Sequence, residues 1–311
     1  MRDPSWHHDC VSISSFGLDA SPADLHEAFS RDGAFVLSEV LSANRLAALR
    51  EAVRPLIRNA PLGTNSFDGF KTRRVFDPLA RTRALDDLVL SPVVRRAVQD
   101  VLPGAHQFGM TVLSEVQPGE AAQKLHRDAG VYPLPADFPE VMVNTIWALD
   151  AFTPANGATV IVAGSHRDPS ARDQEPVVMS PGSVLVYSGR LLHKAGANSS
   201  SAPRLGLIVE HVVRWLRPGE CHPLAVGPSL AATLPAALQE LLGFNQTSDF
   251  FGFIAGQSPR EWLASSRSLG CRASSEADRA GDAKARSEVK GLPAGFRYHD
   301  LRHHVASLLD S

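Results

Sequence analysis

The apolar residues of this chain change their spacing near Phe108, and that change restricts the fold more than any other feature. From there onward come short β-rich runs: "FGMTVLSEVQPG", "EVMVNTIWALDAF", "GATVIVAGS", "EPVVMSPGSVLVYSG" and "RLGLIVEHVVRWLRPGE". Each is bounded by Gly, Pro or Asn. Strands this short and evenly spaced, with no helical pattern between them, point to a sandwich, jelly roll or barrel and away from a parallel βαβ fold. Pro181–Gly182, between two strand-like runs, reads as a hairpin turn.

Before Phe108 the period is helical. "SPADLHEAFSRDG" opens on Ser21 as N-cap with Pro22 at the first helical position, and stops at Gly33. "SANRLAALREAVRPLI" carries Leu46, Leu49, Val53 and Leu56 on one face. "SPVVRRAVQDVLPG" repeats the design, closed by Pro103–Gly104. The expected organisation is one domain over 1–265, helical over about 20–103 with a β core over about 106–217. A small-residue, polar linker without a core pattern follows over 266–290, and a short tail helix over 291–311.

The chain has 311 residues, 44% hydrophobic and 21% charged, with a formal net charge of -2. That suits a globular protein with a sizeable core and gives no basis for binding nucleic acid or an anionic membrane. No apolar run reaches the 18 or so residues of a membrane span. The N-terminus lacks the apolar centre of a signal peptide. Cys10, Cys221 and Cys271 are far apart and odd in number, so a cytoplasmic protein without a disulfide framework is expected. Monomer and homodimer are equally open.

The chemistry-bearing stretch is "AAQKLHRDAGVY". If the backbone is extended there, His126 and Asp128 point to one side and Arg127, a spacer, points away. Alone, such a pair is ordinary. His193, which follows the strand-like "GSVLVYSG" and precedes a Gly/Asn/Ser turn, is the best third ligand. Two histidines and one carboxylate form the facial set that holds non-haem iron(II). Arg204 opens the next strand, and its guanidinium can clamp a carboxylate. His166 is tempting as a further ligand, His211 reads as a packed or pore-lining residue, and Trp147 and Met142 read as core or pocket wall. Lys71, Arg73 and Arg74 in "FKTRRVF" are either a solvated face or residues approaching substrate.

With "QKLHRD", "VNTIWALDAFTPANGATVIVAGSHR", "MSPGSVLVYSGRLLHKAGANSSSAPRLGL" and "WLRPGE" in this order, the chain resembles the phytanoyl-CoA dioxygenase family of iron(II)/2-oxoglutarate oxygenases from about Gly17 to Leu263. Within it the chain looks closest to tailoring dioxygenases of secondary metabolism. The resemblance implies a mainly β fold with N-terminal helices, a double-stranded β-helix (cupin-like jelly roll). It assigns iron to His126, Asp128 and His193, the distal carboxylate of 2-oxoglutarate to Arg204, and further cosubstrate contacts to Gln123 and Thr159. It implies O2 as oxidant, ascorbate as supporting reductant, and a small-molecule substrate that is hydroxylated or desaturated. Asp128 disfavours halogenation, because related halogenases place halide where that carboxylate stands. An acyl-CoA substrate has no clear phosphate-binding cluster to support it, and a jelly roll that binds without turnover would not need the complete ligand set.

The tail "GLPAGFRYHDLRHHVASLL" resembles a second family, the tyrosine recombinases. His299 and Arg302 match its His-x-x-Arg box. About twenty residues are covered, no tyrosine nucleophile follows, and DNA recombination is not expected.

Overall fold

Alternate residues of the long strands face two different interiors, and this organises the molecule. The computed structural model describes residues 13–268 except 103, 136 and 248–250. Residues 269–290 of the expected linker, the tail cluster, Cys10 and Cys271 therefore lie outside the described residues, while 266–268 are helical and end the last helix. The chain divides after Ala264 into two units, and every strand of the two sheets belongs to the first.

A seven-stranded sheet carries the order β1-β2-β8-β5-β10-β4-β3, and a three-stranded sheet the order β7-β6-β9. The strands are β1 (Ser15–Phe16), β2 (Ala34–Leu37), β3 (Thr72–Phe76), β4 (His106–Val116), β5 (Met142–Ala148), β6 (Thr159–Val162), β7 (Gln174–Pro176), β8 (Val184–Ser188), β9 (His193–Ala195) and β10 (Arg204–Val213). All pairings are antiparallel except β1 with β2. This is the jelly-roll arrangement the strand pattern indicates. The strands β1, β2 and β3, which precede Phe108, lie outside that pattern and extend the large sheet at its two ends.

Phe35, Leu37, Val143, Trp147, Val184, Val186, Leu205 and Leu207 pack on the helical side. Their sequence neighbours Ala34, Val36, Ile146, Ala148, Leu185 and Tyr187 face the small sheet. Each large apolar side chain taken out of water contributes about 1.5–3 kcal/mol. A one-residue slip in register would exchange the two faces, so register is strongly specified.

The helices α1 (Pro22–Asp32), α2 (Ala43–Arg58), α3 (Asp86–Val89) and α4 (Pro92–Val101) precede β4. Ser21 caps α1 by accepting the amide of Asp24 at 3.2 Å. Gly33 ends it at φ 78°, donating to the carbonyl of Phe29. Leu49 and Val53 of α2 are fully buried against the sheet. Three further helices, α5 (His222–Ala231), α6 (Ala236–Leu241) and α7 (Pro259–Ser268), follow the β core, in a stretch for which the sequence carries no clear helical period. Among the described residues no helix is long and apolar enough to cross a membrane.

Two features differ from the sequence expectation. Pro181–Gly182 is a turn with Gly182 at φ 87°, but it does not close a hairpin. β7 pairs with β6 and β8 pairs with β2 and β5, so the turn carries the chain from one sheet to the other. A bulge also interrupts β4. Its pairing with β10 steps from Val209↔Thr111 to His211↔Phe108. Glu210 of β10 thus stands opposite both Gly109 and Met110. The shift turns Phe108 to the helical side, where its ring meets His211 edge-on at 5.5 Å.

Of the two places its mid-strand position allows, His211 therefore takes the packed one, and His106 lies beside it at 5.3 Å. Burial, then the charges of Arg95 and Arg214, lower His106 to about 4, and burial holds His211 well below its usual value. Between pH 6.5 and 4 the unfolded chain gains a proton at His106 that the folded chain refuses, so stability present above pH 6.5 is lost as pH falls through this window. The loss should be on the order of 3 kcal/mol for His106. Urea denaturation across this pH range should show the fall, and His106→Asn should flatten it; an unchanged slope contradicts this role for His106.

Candidate active site

Backbone pairing brings the two histidines together. The amide of His126 donates to the carbonyl of His193 and the amide of His193 to that of His126, both at 3.0 Å. Their rings lie 4.4 Å apart. Arg127 is extended, at φ -122° and ψ 125°, so Asp128 falls on the same side as His126 before the chain turns into a 3-10 helix. His126 Nε2 lies 3.4 Å from one carboxylate oxygen of Asp128, and His193 Nε2 lies 3.2 Å from the other.

The remaining ring nitrogens are engaged in a way that fits metal ligation. Nδ1 of His126 faces the carbonyl of Lys124 and Nδ1 of His193 that of Leu191, each at 3.0 Å. A carbonyl only accepts, so each Nδ1 carries a proton and Nε2 is the atom aimed at the shared space, free to act as a ligand once a cation takes the place of its proton. Asn144 donates to Asp128 at 2.7 Å, and the Tyr187 hydroxyl lies 3.3 Å from Asp128 and 3.4 Å from His193. Burial alone would raise Asp128; the charge of His193 and the hydrogen bonds of both histidines overcome it and hold the carboxyl far below its usual range. Burial alone would lower His193, and the Asp128 carboxylate raises it instead. A divalent cation between the three would supply the positive charge that the histidines otherwise lend. These three residues could hold one, their ligand atoms lying within 4.8 Å of one another.

The triad opens on a cleft that Phe67, Met110, Ile146, Ile208 and Glu210 also line. Arg204 is in its wall, 5% exposed. It donates to the carbonyl of Gly157 at 2.6 Å and stands 4.2 Å over the Phe152 ring, while its Nε has no partner. Burial, then the charge of Arg74, lower it to about 10. A buried cation with a free donor is chemically suited to an anion.

Gln123 and Thr159 border the same cavity. Gln123 accepts the amide of Ala195 at 2.9 Å and donates to the carbonyl of Phe67, so it also ties β9 to the 61–71 loop. Thr159 is buried opposite Ala195. Arg74, left open by the sequence, lines the cavity, its Nε on the carbonyl of Asp68 at 3.0 Å. Asn144, Tyr187 and Glu210 carry no sequence signal beyond their place in alternating strands. His166 stacks near Phe29 and belongs to no ligand group.

A second cluster, Asp77, Glu220 and His222, also gathers ligand atoms. Its groups serve the β4 bulge. The Glu220 carboxylate accepts the amide of Thr111 at 3.1 Å, the Glu220 amide donates to the carbonyl of Gly109, and the Asp77 amide to that of Thr111. His222 Nδ1 is held by Asp77 at 2.5 Å.

Arg127 is not a spacer. Its guanidinium donates to the carbonyls of Arg190 at 2.8 Å and Ser165 at 3.0 Å, joining three loops under the triad. Arg127→Ala should cost on the order of 2 kcal/mol of stability. Chemical denaturation measures it, and a change within error would return Arg127 to a spacer role.

Comparison with known proteins gives the same fold. The family model described as phytanoyl-CoA dioxygenase (PhyH) matches residues 29–206. The dioxygenase FUM3 of Gibberella moniliformis is 32% identical over 250 residues, spanning 72% of this chain and 83% of its own. The multifunctional dioxygenase ausE of Emericella nidulans is 29% identical over 263 residues, spanning 76% and 88%. SnoN, a non-heme alpha ketoglutarate dependent epimerase from nogalamycin biosynthesis, matches with a TM-score of 0.56 at 21% identity, over 64% of this chain and 87% of its own. HygX from Streptomyces hygroscopicus, solved with nickel, 2-oxoglutarate and hygromycin B bound, gives a TM-score of 0.52 at 16% identity, over 63% and 88%.

Proposed function

Because the chain belongs to the phytanoyl-CoA dioxygenase family, we propose that it is an iron(II)- and 2-oxoglutarate-dependent dioxygenase that oxidises a small organic molecule of secondary metabolism. The observation that carries this reading is the convergence of two Nε2 atoms and one carboxylate on a cavity that also holds an incompletely partnered, buried arginine. In this assignment His126, Asp128 and His193 hold iron, and Arg204 holds the distal carboxylate of 2-oxoglutarate. Thr159 and Gln123 flank the cosubstrate, and the nearby positive charge of Arg74 strengthens the anion site.

Iron(II) with 2-oxoglutarate supplies the O2 chemistry that side chains cannot, converting the cosubstrate to succinate and CO2 as a substrate C–H bond is oxidised. The protein's part is positional. Asn144 fixes the Asp128 carboxylate through Oδ2. Burial first, then the charges of Asp128 and Glu210, raise Tyr187 well above its usual value, so its hydroxyl stays a donor. Ile146, Ile208 and Met110 give the cavity apolar walls that exclude water.

Succinate release from 2-oxoglutarate with iron and ascorbate tests the activity against a jelly roll that only binds. His126→Ala should abolish iron loading, read as metal content after anaerobic reconstitution. Arg204→Ala should load iron but bind 2-oxoglutarate on the order of a hundredfold more weakly, as expected when one partner of a buried ion pair is removed. Full turnover in either variant sinks the assignment.

A further inference from the structure

Beyond the triad, one carboxyl in the cavity wall is left without a partner. Glu210 faces the cavity from β10 and is 8% exposed. Neither carboxyl oxygen has a hydrogen-bond partner among the described residues, and no cationic side chain there lies close enough to favour its charge. The groups around it are apolar, negative or neutral and polar, the last being Asn144 and the hydroxyls of Tyr132 and Tyr187. Ile208 precedes it on the same face, and Met110 and Ile146 lie along the same wall. Burial first, then the carboxylates of Asp128 and Glu220, push it up to about 8.

The backbone makes room for this carboxyl. It sits beside the β4 bulge, where a Cβ on Gly109 would meet Glu210 Oε2 at 3.0 Å. Its cross-strand neighbour on β5 is Asn144. Asp128 needs the amide nitrogen of Asn144, which leaves Asn144 Oδ1 buried without a donor. Asn144 Oδ1 and the Glu210 carboxyl thus stand side by side on one face of the sheet, and the one donor between them is the proton that Glu210 holds below about pH 8, which a cationic donor from outside would displace. Cross-strand neighbours lie about 5 Å apart at Cβ, and Asn144 itself touches Asp128.

We propose that Glu210 is the recognition point for a protonated amine on the substrate, anchored beside the metal triad. An ammonium group offers three donors and a positive charge, whereas a hydroxyl offers one donor and no charge. It would satisfy Asn144 Oδ1, which is buried without a donor, together with the Glu210 carboxyl beside it. The arginines lie in the part of the wall that takes the cosubstrate's carboxylate, so the two ends of the cavity select opposite charges. The assignment of a substrate to this cavity rests on the dioxygenase reading above.

The test uses the full chain loaded anaerobically with iron(II) and 2-oxoglutarate, titrated calorimetrically at pH 7 with 2-phenylethylamine and with its neutral counterpart 2-phenylethanol. The amine should bind at least about tenfold tighter, a difference of about 1.4 kcal/mol. Glu210→Gln should bring the two dissociation constants together, and Glu210→Leu should favour the alcohol. Circular dichroism identifies a variant that does not fold, and the other then carries the comparison. Equal affinities in the unaltered protein, no binding of the amine, or a preference that survives substitution at Glu210 would each overturn the proposal. Repeating the titration without iron and 2-oxoglutarate separates it from the reading beneath: if the protein never loads them yet prefers the amine through Glu210, only the dioxygenase assignment fails.

Discussion

The pairing of β10 with β4 on one side and β5 on the other holds the site in place. β10 runs through the large sheet with Leu205, Leu207 and Val209 turned to the helical core. Arg204, Gly206, Ile208 and Glu210 alternate with them and line the cavity. The hydrophobic effect acts on the first set, and by doing so it fixes where the second must point. Sliding this strand by one residue would bury Arg204 and Glu210 in an apolar core, at a cost far beyond any local gain.

The same strand explains why the β4 bulge matters. Strict alternation would put His106 and Phe108 on the cavity side with Met110. The extra residue reverses them, so His106 and Phe108 join His211 on the helical side while Gly109 leaves space for Glu210. A bulge frees backbone groups, and Glu220 and Asp77 accept that burden. In the cluster of Asp77, Glu220 and His222, the Glu220 carboxylate is thus engaged by the backbone, and the Asp77 carboxylate by His222.

Much of the site is readable because its ligands sit next to strong turn and strand signals. His126 and Asp128 are two residues apart, and a single extended residue between them suffices to aim both one way. His193 and Arg204 each begin a strand. The cap residues Ser21 and Gly33 are equally plain, since their chemistry is local. Arg74, Tyr187, Asn144 and Glu210 are not readable. Each is one polar residue in a β strand, and whether it meets solvent, a core or a cavity depends on which strands flank it. Arg127 passes for a spacer for the same reason: its two acceptor carbonyls belong to residues 165 and 190, remote in sequence.

By itself the sequence determined the β-rich core from Phe108 onward, the ends of the first helix and the stretches that carry the candidate ligands, because these rest on local backbone preference and on the chemistry of particular side chains. Only the tertiary structure decided which sheet each strand joins, that Pro181–Gly182 passes between sheets, and that one register shift re-aims half of β4. Strand pairing is a contest among distant partners with similar hydrogen bonds, settled by how the whole set of side chains packs on two faces at once. The lone carboxyl of Glu210 belongs to that second class, since no neighbour in sequence reveals that its partners are missing.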